Sequence, residues 1–327
     1  MIPLVRARYS AHFVDALRAT GLSEGPVMDR AGLSDGVLER ANGVTTIWQL
    51  GEVARHCAVR TGHLDIGWTA AASAALDDYG QFSEHVLSTQ TLATRLSAFC
   101  RAANDEYSEA SFNVERRRNA LLFKRGPIAG DEISARQTEL YVVYMMLSTI
   151  RSVLGRAWQP MQIWLQTFHR KETEALFDVG KTDLRFEHSE TVIAIHDDDL
   201  VRSLETAEQA NAEDDFNSLS VNTAGALTKL IDSYLGDRHV SLTFIARICD
   251  VQPRALQRLL ARENTTFGEL LAQRRTTAAV EHLKSPDMSI ADVSYCLGYA
   301  HQAHFCRAFR RQTGLTPSEY RRALQKS

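Results

Sequence analysis

Apolar side chains along residues 132–154 fall near a helical period, with Leu140, Tyr144, Leu147 and Arg151 on adjoining turns, and predict a long helix. Ala11 to Thr20 and Leu92 to Ala103 carry the same signal among shorter helices, which are separated by glycine-rich turns at Gly21–Gly25 and Gly32–Gly36. The period then changes. Ser111 to Arg117 alternates, Phe112 and Val114 against Asn113 and Glu115, and Ala120 to Lys124 follows a polar turn, so a β-hairpin is expected. Gln162 to Phe168 and Thr191 to His196 read as further strands. Residues 1–204 are therefore expected to form an α+β domain with a small mixed sheet. Glu205 to Asp215 is acidic and poor in large apolar residues, which assigns 205–220 as a linker. Val221 to Leu235 then reads as an amphipathic helix opening an all-α domain over 221–327.

In that last domain, Leu242 to Glu263 shows a short apolar-periodic helix, a break at Asp250 to Gln252, and a second helix beginning at Pro253, where the missing N–H has no intrahelical partner to lose. Ala246 is small enough for two helices to cross closely. With Leu256, Leu259 and Leu260 packed inward, Arg254, Gln257, Arg258 and Arg262 face outward. Arginine and glutamine pair bidentately with guanine and adenine edges, so this face suits a DNA major groove. A similar unit recurs about 48 residues on, in Met288 to Gly314, with Gly298 in its turn. Its second helix buries Phe305 and Phe309 and presents His301, Gln302, His304 and Arg307, with Arg310 and Arg311 near its end. Phe267 to Leu283 is a helix long enough to hold the two helix-turn-helix units at a fixed separation.

Charge is divided unevenly. Residues 237–327 carry 14 Lys/Arg against 8 Asp/Glu, a net of +6, which leaves −9 for residues 1–236. Only the tail domain is equipped to approach phosphates. The N-terminus lacks the continuous apolar core of a signal peptide, and the most apolar run, Leu140 to Leu147, is far shorter than the ~20 residues that span a bilayer. A soluble, cytoplasmic protein without membrane contact is expected. Five dispersed cysteines, none in C-x-x-C spacing, suggest neither a disulfide framework nor a zinc knuckle.

Three other signals point elsewhere and are set aside. G-x-S-x-G occurs at Gly21–Gly25 and Gly32–Gly36, but helical periodicity precedes both copies, whereas a nucleophile elbow needs a strand there. His301 and His304 have a metal-compatible spacing without a Cys or carboxylate on the adjacent turn, and a DNA-facing surface is the preferred reading. Tyr141, Tyr144, Met145, Met146, Trp158 and Trp164 read first as core and second as the lining of a ligand pocket. No catalytic residues, cofactor or metal site are expected.

Leu242 to Arg322 resembles the DNA-binding domain of the AraC/XylS family of transcription regulators. The resemblance is carried by Gly298-Tyr299, Phe305, Arg307-Ala308-Phe309, Gly314 and Thr316 to Arg321, with Arg275 and Ala279 in the connecting helix. It implies that both second helices enter successive major-groove segments, with Arg254, Gln257 and Arg258 at contact positions in the first unit and Gln302, His304 and Arg307 in the second. Gln252 and Ala300 depart from the pattern, standing where a helix-capping Ser is usual, as does Asp250, where Gly is frequent. Ser294 replaces a usual Ala. The N-terminal region is similar to the arabinose-binding-like domain of a subgroup that includes ornithine-utilisation and virulence regulators, through Tyr79-Gly80 to Leu96 and Lys181 to Leu204. The implied protein is a sequence-specific transcription regulator, an activator by family habit, working on promoter DNA with RNA polymerase as a homodimer under a small-molecule effector. Two alternatives are an N-terminal domain that only dimerises and an enzyme domain fused to a DNA reader.

Overall fold

The structure is a computed structural model that describes residues 2–74, 79–108, 110–168, 171–177, 180–204, 219, 222–236 and 240–324. In chain order its first part contains β1 (Leu4–Arg6), α1 (Ala7–Ala19), α2 (Gly25–Ala31), α3 (Asp35–Glu39), β2 (Val44–Thr46), α4 (Ile47–Thr61), α5 (Ile66–Ser73), α6 (Gln81–Leu87) and α7 (Leu92–Glu106). Then come β3 (Phe112–Arg116), β4 (Ala120–Arg125), α8 (Glu132–Leu154), β5 (Gln162–Trp164), α9 (Lys171–Glu174), β6 (Asp183–Arg185), β7 (Thr191–His196) and α10 (Asp197–Leu204). The last part is helical: α11 (Thr223–Tyr234), α12 (Leu242–Ile248), α13 (Pro253–Arg262), α14 (Phe267–Lys284), α15 (Ile290–Cys296), α16 (Gln302–Thr313) and α17 (Pro317–Leu324).

Contacts divide the chain into two units. One comprises residues 3–34 and 47–220; the other comprises 221–327 together with 35–46 and the first two residues. The α+β character expected of the N-terminal region and the helical C-terminal region are both present. Segment 35–46, which the sequence reading leaves inside the N-terminal domain, groups instead with the helical unit. The expected linker lies outside the described residues apart from the buried Leu219.

The larger unit is organised around α8, whose N-terminus is capped by the Asp131 carboxylate accepting from the Ile133 and Ser134 N–H groups. Helices α4, α5 and α7 pack on it. Gly67 permits a close crossing of α5 on α8: its N–H donates to Gln137 Oε1 at 2.9 Å, and Gln137 Nε2 donates to Leu64 O at 3.1 Å. The sheet runs β3-β4-β7-β5-β6, with β5 and β6 parallel and the other pairs antiparallel, a mixed sheet as expected. Ala120, Leu122, Val192 and Ala194 are buried on one face, while Phe123 on the other meets Phe99 of α7 edge-on at 5.1 Å. Burial of both faces explains why β7 is a continuous apolar run and not an alternating one. The strand expected from Gln162 to Phe168 stops at Trp164.

Both G-x-S-x-G copies lie at helix ends. The first follows α1, where Gly21 has φ 79°, and the second begins at the left-handed Gly32 that closes α2. Of the aromatic and methionine cluster, Tyr144 and Met145 line an open cleft of about 630 Å³, and Tyr141 with Met145 lines a small internal cavity of about 50 Å³. Trp158 instead bonds Asp199 through Nε1 at 2.9 Å, and Trp164 stacks on His188.

Candidate nucleic-acid interface

The helical unit contains the same turn twice. After α12, the Asp250 N–H donates to Arg247 O and the Val251 N–H to Ala246 O; after α15, Gly298 donates to Tyr295 O and Tyr299 to Ser294 O. These are the two bonds of a Schellman closure, whose third-from-last residue must accept and whose next-outer residue must turn left-handed. Asp250 has φ 53° and Gly298 has φ 75°. The aspartate therefore sits where glycine is conformationally free, which accounts for its standing out in sequence. The first helices are capped alike: the Ser241 hydroxyl accepts from Phe244 N–H, and the Ser289 hydroxyl from Asp292 N–H.

Ala246 and Ser294 lie buried at equivalent places where the helices of each pair cross. The Ser294 hydroxyl has no hydrogen-bond partner there among the described residues. Beyond the turns the offset between the units grows by one residue. Gln252 is the N-cap residue of α13, whereas α16 is preceded at its N-cap by His301 and not by Ala300, so the capping position expected at Ala300 is corrected to His301. Neither Gln252 nor His301 makes a side-chain cap bond.

With that offset the two second helices superimpose in pattern. Leu256 and Leu260 are buried in α13, as Phe305 and Phe309 are in α16. Leu259, expected inward, is only half-buried, because it lies at the flank of the narrow two-residue stripe. Arg258 and Arg307 both occupy the sixth position of their helices, and Arg262 and Arg311 the tenth. Every sequence-predicted residue is exposed: Arg254, Gln257, Arg258 and Arg262 on α13, and His301, Gln302, His304, Arg307, Arg310 and Arg311 on or beside α16. None of the six arginines forms an ion pair with a described residue, so their donors face solvent. The rings of His301 and His304 lie 5.7 Å apart.

Packing fixes these faces in place. Phe305 and Phe309 join Ala279, Leu283, Val293 and Leu297 in one cluster, and Tyr320 of α17 meets Phe309 edge-on at 5.5 Å. Arg275 of α14 lies over the Tyr299 ring at 4.7 Å, tying the connecting helix to the second turn. On the first pair, the Glu263 carboxylate at the end of α13 accepts from the Thr223 and Ala224 N–H groups at 3.0 and 2.8 Å. Desolvation opposes that charge, but the two donors outweigh it and hold the carboxyl below the usual carboxylate range. Arg274 of α14 pairs with Asp232 of α11 at 2.7 Å.

The same unit incorporates segment 35–46. Arg40 donates to the Asp232 and Leu235 carbonyls at the end of α11, the Val44 N–H donates to the Ser233 hydroxyl at 2.9 Å, and the Thr46 hydroxyl donates to Ile248 O at the end of α12. A cation on the last carbonyls of a helix complements its dipole. Glu263, Arg274 and this segment are the parts of the site that the sequence reading missed. A polar residue at the end of an amphipathic helix carries no local mark of a distant partner.

Comparison with known proteins identifies the family. The family described as the arabinose-binding domain of AraC transcription regulators matches residues 21–204, more than half of the chain, and a helix-turn-helix domain family matches residues 245–323. The regulatory protein SoxS of Salmonella typhimurium is 33% identical over 99 residues, covering 30% of this chain and 92% of that protein. The transcriptional activator NphR of Rhodococcus is 36% identical over 94 residues, covering 29% of this chain and 28% of that one. Matches of this kind thus span about a quarter of the longer curated relatives, such as an uncharacterised HTH-type regulator of Mycobacterium tuberculosis, at 24% of its length. Among solved structures, the regulator CdpR of Pseudomonas aeruginosa is matched over 95% of this chain and 97% of that one, at 17% identity and a TM-score of 0.43. No described helix is long and apolar enough to cross a membrane.

Proposed function

Because the chain belongs to the AraC/XylS family of DNA-binding transcription regulators, we propose that it reads promoter DNA with α13 and α16 in two successive major-groove segments and activates transcription. The observation that carries this reading is the matched placement of Arg258 with Arg307 and of Arg262 with Arg311 on two exposed, separately buttressed helices. Helix α14, with 18 residues, is about 27 Å long. That is comparable to the ~34 Å of one DNA turn that separates successive major-groove entries on one face. Gln257, Gln302, His304 and the sixth-position arginines supply base readout, while Arg310, Arg311 and the remaining basic residues supply the salt-dependent phosphate contribution. The larger unit acts as the sensor of a small-molecule effector and as the dimerisation element, and RNA polymerase is the protein partner at the promoter. NphR, named an activator, supports the sign of regulation.

The test is a footprint of the full-length protein on DNA flanking its own gene, across a salt series. Protection of one region of roughly two helical turns per chain is expected, with affinity falling as salt rises. Protection that is indifferent to sequence at every salt concentration contradicts base readout by α13 and α16.

A further inference from the structure

Among the described residues, three grooves of the larger unit are big enough for a metabolite, and their charges differ. Those of about 270 and 370 Å³ both include Glu132 beside Arg136 in their walls, and the former also the buried Glu139. The cleft of about 630 Å³ contains no acidic side chain among its described lining residues, although residues 1–236 as a whole carry a net charge of −9. Its volume falls within the ~300–1,000 Å³ usual for small-molecule sites. The internal cavity of about 50 Å³ is much smaller than the ~150 Å³ that admits a benzene ring.

One wall of the large cleft is a single face of α8. Tyr144, Ser148, Arg151 and Ser152 follow one another at helical spacing, with Met145 beside them and Arg156 just past the helix end. The opposite wall is built from Ala71, Ala72 and Ala74, at and just beyond the end of α5, whose short side chains leave the space open. Arg151 is half-buried and is oriented by protein acceptors, Nε donating to Trp158 O at 3.1 Å and one terminal nitrogen to Gln159 Oε1 at 3.2 Å. Both acceptors are neutral. Neither Arg151 nor Arg156 pairs with a carboxylate among the described residues. Burial disfavours the Arg151 charge, lowering its pKa from the ordinary value, so the site gains from an added anion. Tyr144 is held edge-on to Trp68 at 5.0 Å and, with Met145, offers an apolar surface next to the guanidinium groups.

We infer that this cleft is the effector site and that it takes a small oxyanion, a carboxylate or phosphate monoester with an apolar or aromatic body. Arg151 and Arg156 hold the head, and the Tyr144 and Met145 side chains take the body. The inference rests on the sensor reading of this unit and narrows it: a neutral sugar, the ligand class in the family's description, leaves the guanidinium pair without a carboxylate partner among the described residues. A fork of guanidinium donors matches carboxylate and phosphate geometry, and such charge-assisted bonds are about twice as strong as neutral ones.

The experiment is thermal unfolding of the full-length protein with millimolar phenylacetate, phenyl phosphate, phenylacetamide and L-arabinose, repeated on Arg151→Gln and Arg156→Gln. A ligand that binds only the native state raises the midpoint. Stabilisation by phenylacetate or phenyl phosphate and not by phenylacetamide is expected, and which of the two anions acts more strongly identifies the head group. Arg151→Gln should raise the anion's Kd about 10- to 100-fold, the effect of losing a hydrogen bond to a charged group. Arg156→Gln alters an exposed side chain without described partners and tests the site even if Arg151→Gln folds poorly. Stabilisation by phenylacetamide or L-arabinose that both variants retain overturns the oxyanion assignment and leaves the sensor reading intact. Anion binding that survives both substitutions, or no stabilisation by either anion, removes the site.

Discussion

Gly67 sets the distance between α5 and α8, and its replacement by alanine gives a defined perturbation. A Cβ added there lies 2.0 Å from the Gln137 carbonyl oxygen and 2.7 Å from its carbonyl carbon, both backbone atoms that cannot swing aside. To restore ordinary contact the helices must separate by about 1 Å, a typical response to overpacking that costs ~1–3 kcal/mol. That movement stretches the 2.9 Å bond from the Gly67 N–H to Gln137 Oε1, and a buried donor left unpaired costs a further ~1–3 kcal/mol. Alanine returns up to ~1 kcal/mol through its higher helix propensity. The net loss is about 1–6 kcal/mol, a large share of the ~5–15 kcal/mol that holds a domain folded. Urea unfolding followed by tryptophan fluorescence reports on it directly, because Trp68 is the next residue and packs on Tyr144 and Phe177. Gly36→Ala is the control, since a Cβ there meets nothing within 4 Å. If Gly67→Ala unfolds at the same urea concentration as Gly36→Ala, the close crossing of α5 on α8 is wrong. With it goes the shape of the cleft these helices enclose.

Two further outcomes concern the helices proposed to read DNA. Arg258→Ala and Arg307→Ala should each weaken specific binding by ~1–3 kcal/mol, or about 5- to 150-fold, each relaxing sequence preference in a different half of the footprint. Equal losses on specific and random DNA would assign both arginines to phosphates. Glu263 has a folded pKa below its unfolded value, so the stability it contributes is present above ~4.3 and is lost as pH falls through the folded value. Glu263→Gln should therefore flatten the decline in the unfolding midpoint of the helical unit at acid pH; midpoint curves parallel to those of the wild type would show that the carboxylate does not cap α11.

Legibility of the sequence followed the range of the interactions. Helix α8 and the β3-β4 hairpin were plain because 23 residues repeat a helical period over several turns, and the alternation of β3 is followed by a polar turn and a second short apolar run. The outward Arg and Gln faces of α13 and α16 were plain for the same reason. Strands β1, β2 and β6 have three residues each, too few to show a period, and were missed. The shift from Ala300 to His301 at the cap of α16 depended on one extra residue in the second turn, which spacing alone does not locate. Arg40, Val44 and Thr46 carry nothing local that names Asp232, Ser233 and Ile248 as partners, so their place in the helical unit emerged only from the fold.

The docking of segment 35–46 on α11 and α12 also bears on how the chain is made. A ribosome finishes this segment roughly 175 residues before Val221 appears. At about 5–20 residues per second, that interval is on the order of 10–35 s. During it the larger unit can fold while Arg40, the Val44 N–H and Thr46 still lack the carbonyls and hydroxyl they later meet. The helical unit is thus the last to close and closes onto a piece made earlier, so a truncated chain that begins at residue 221 leaves the end of α11 uncapped and Ser233 without its donor.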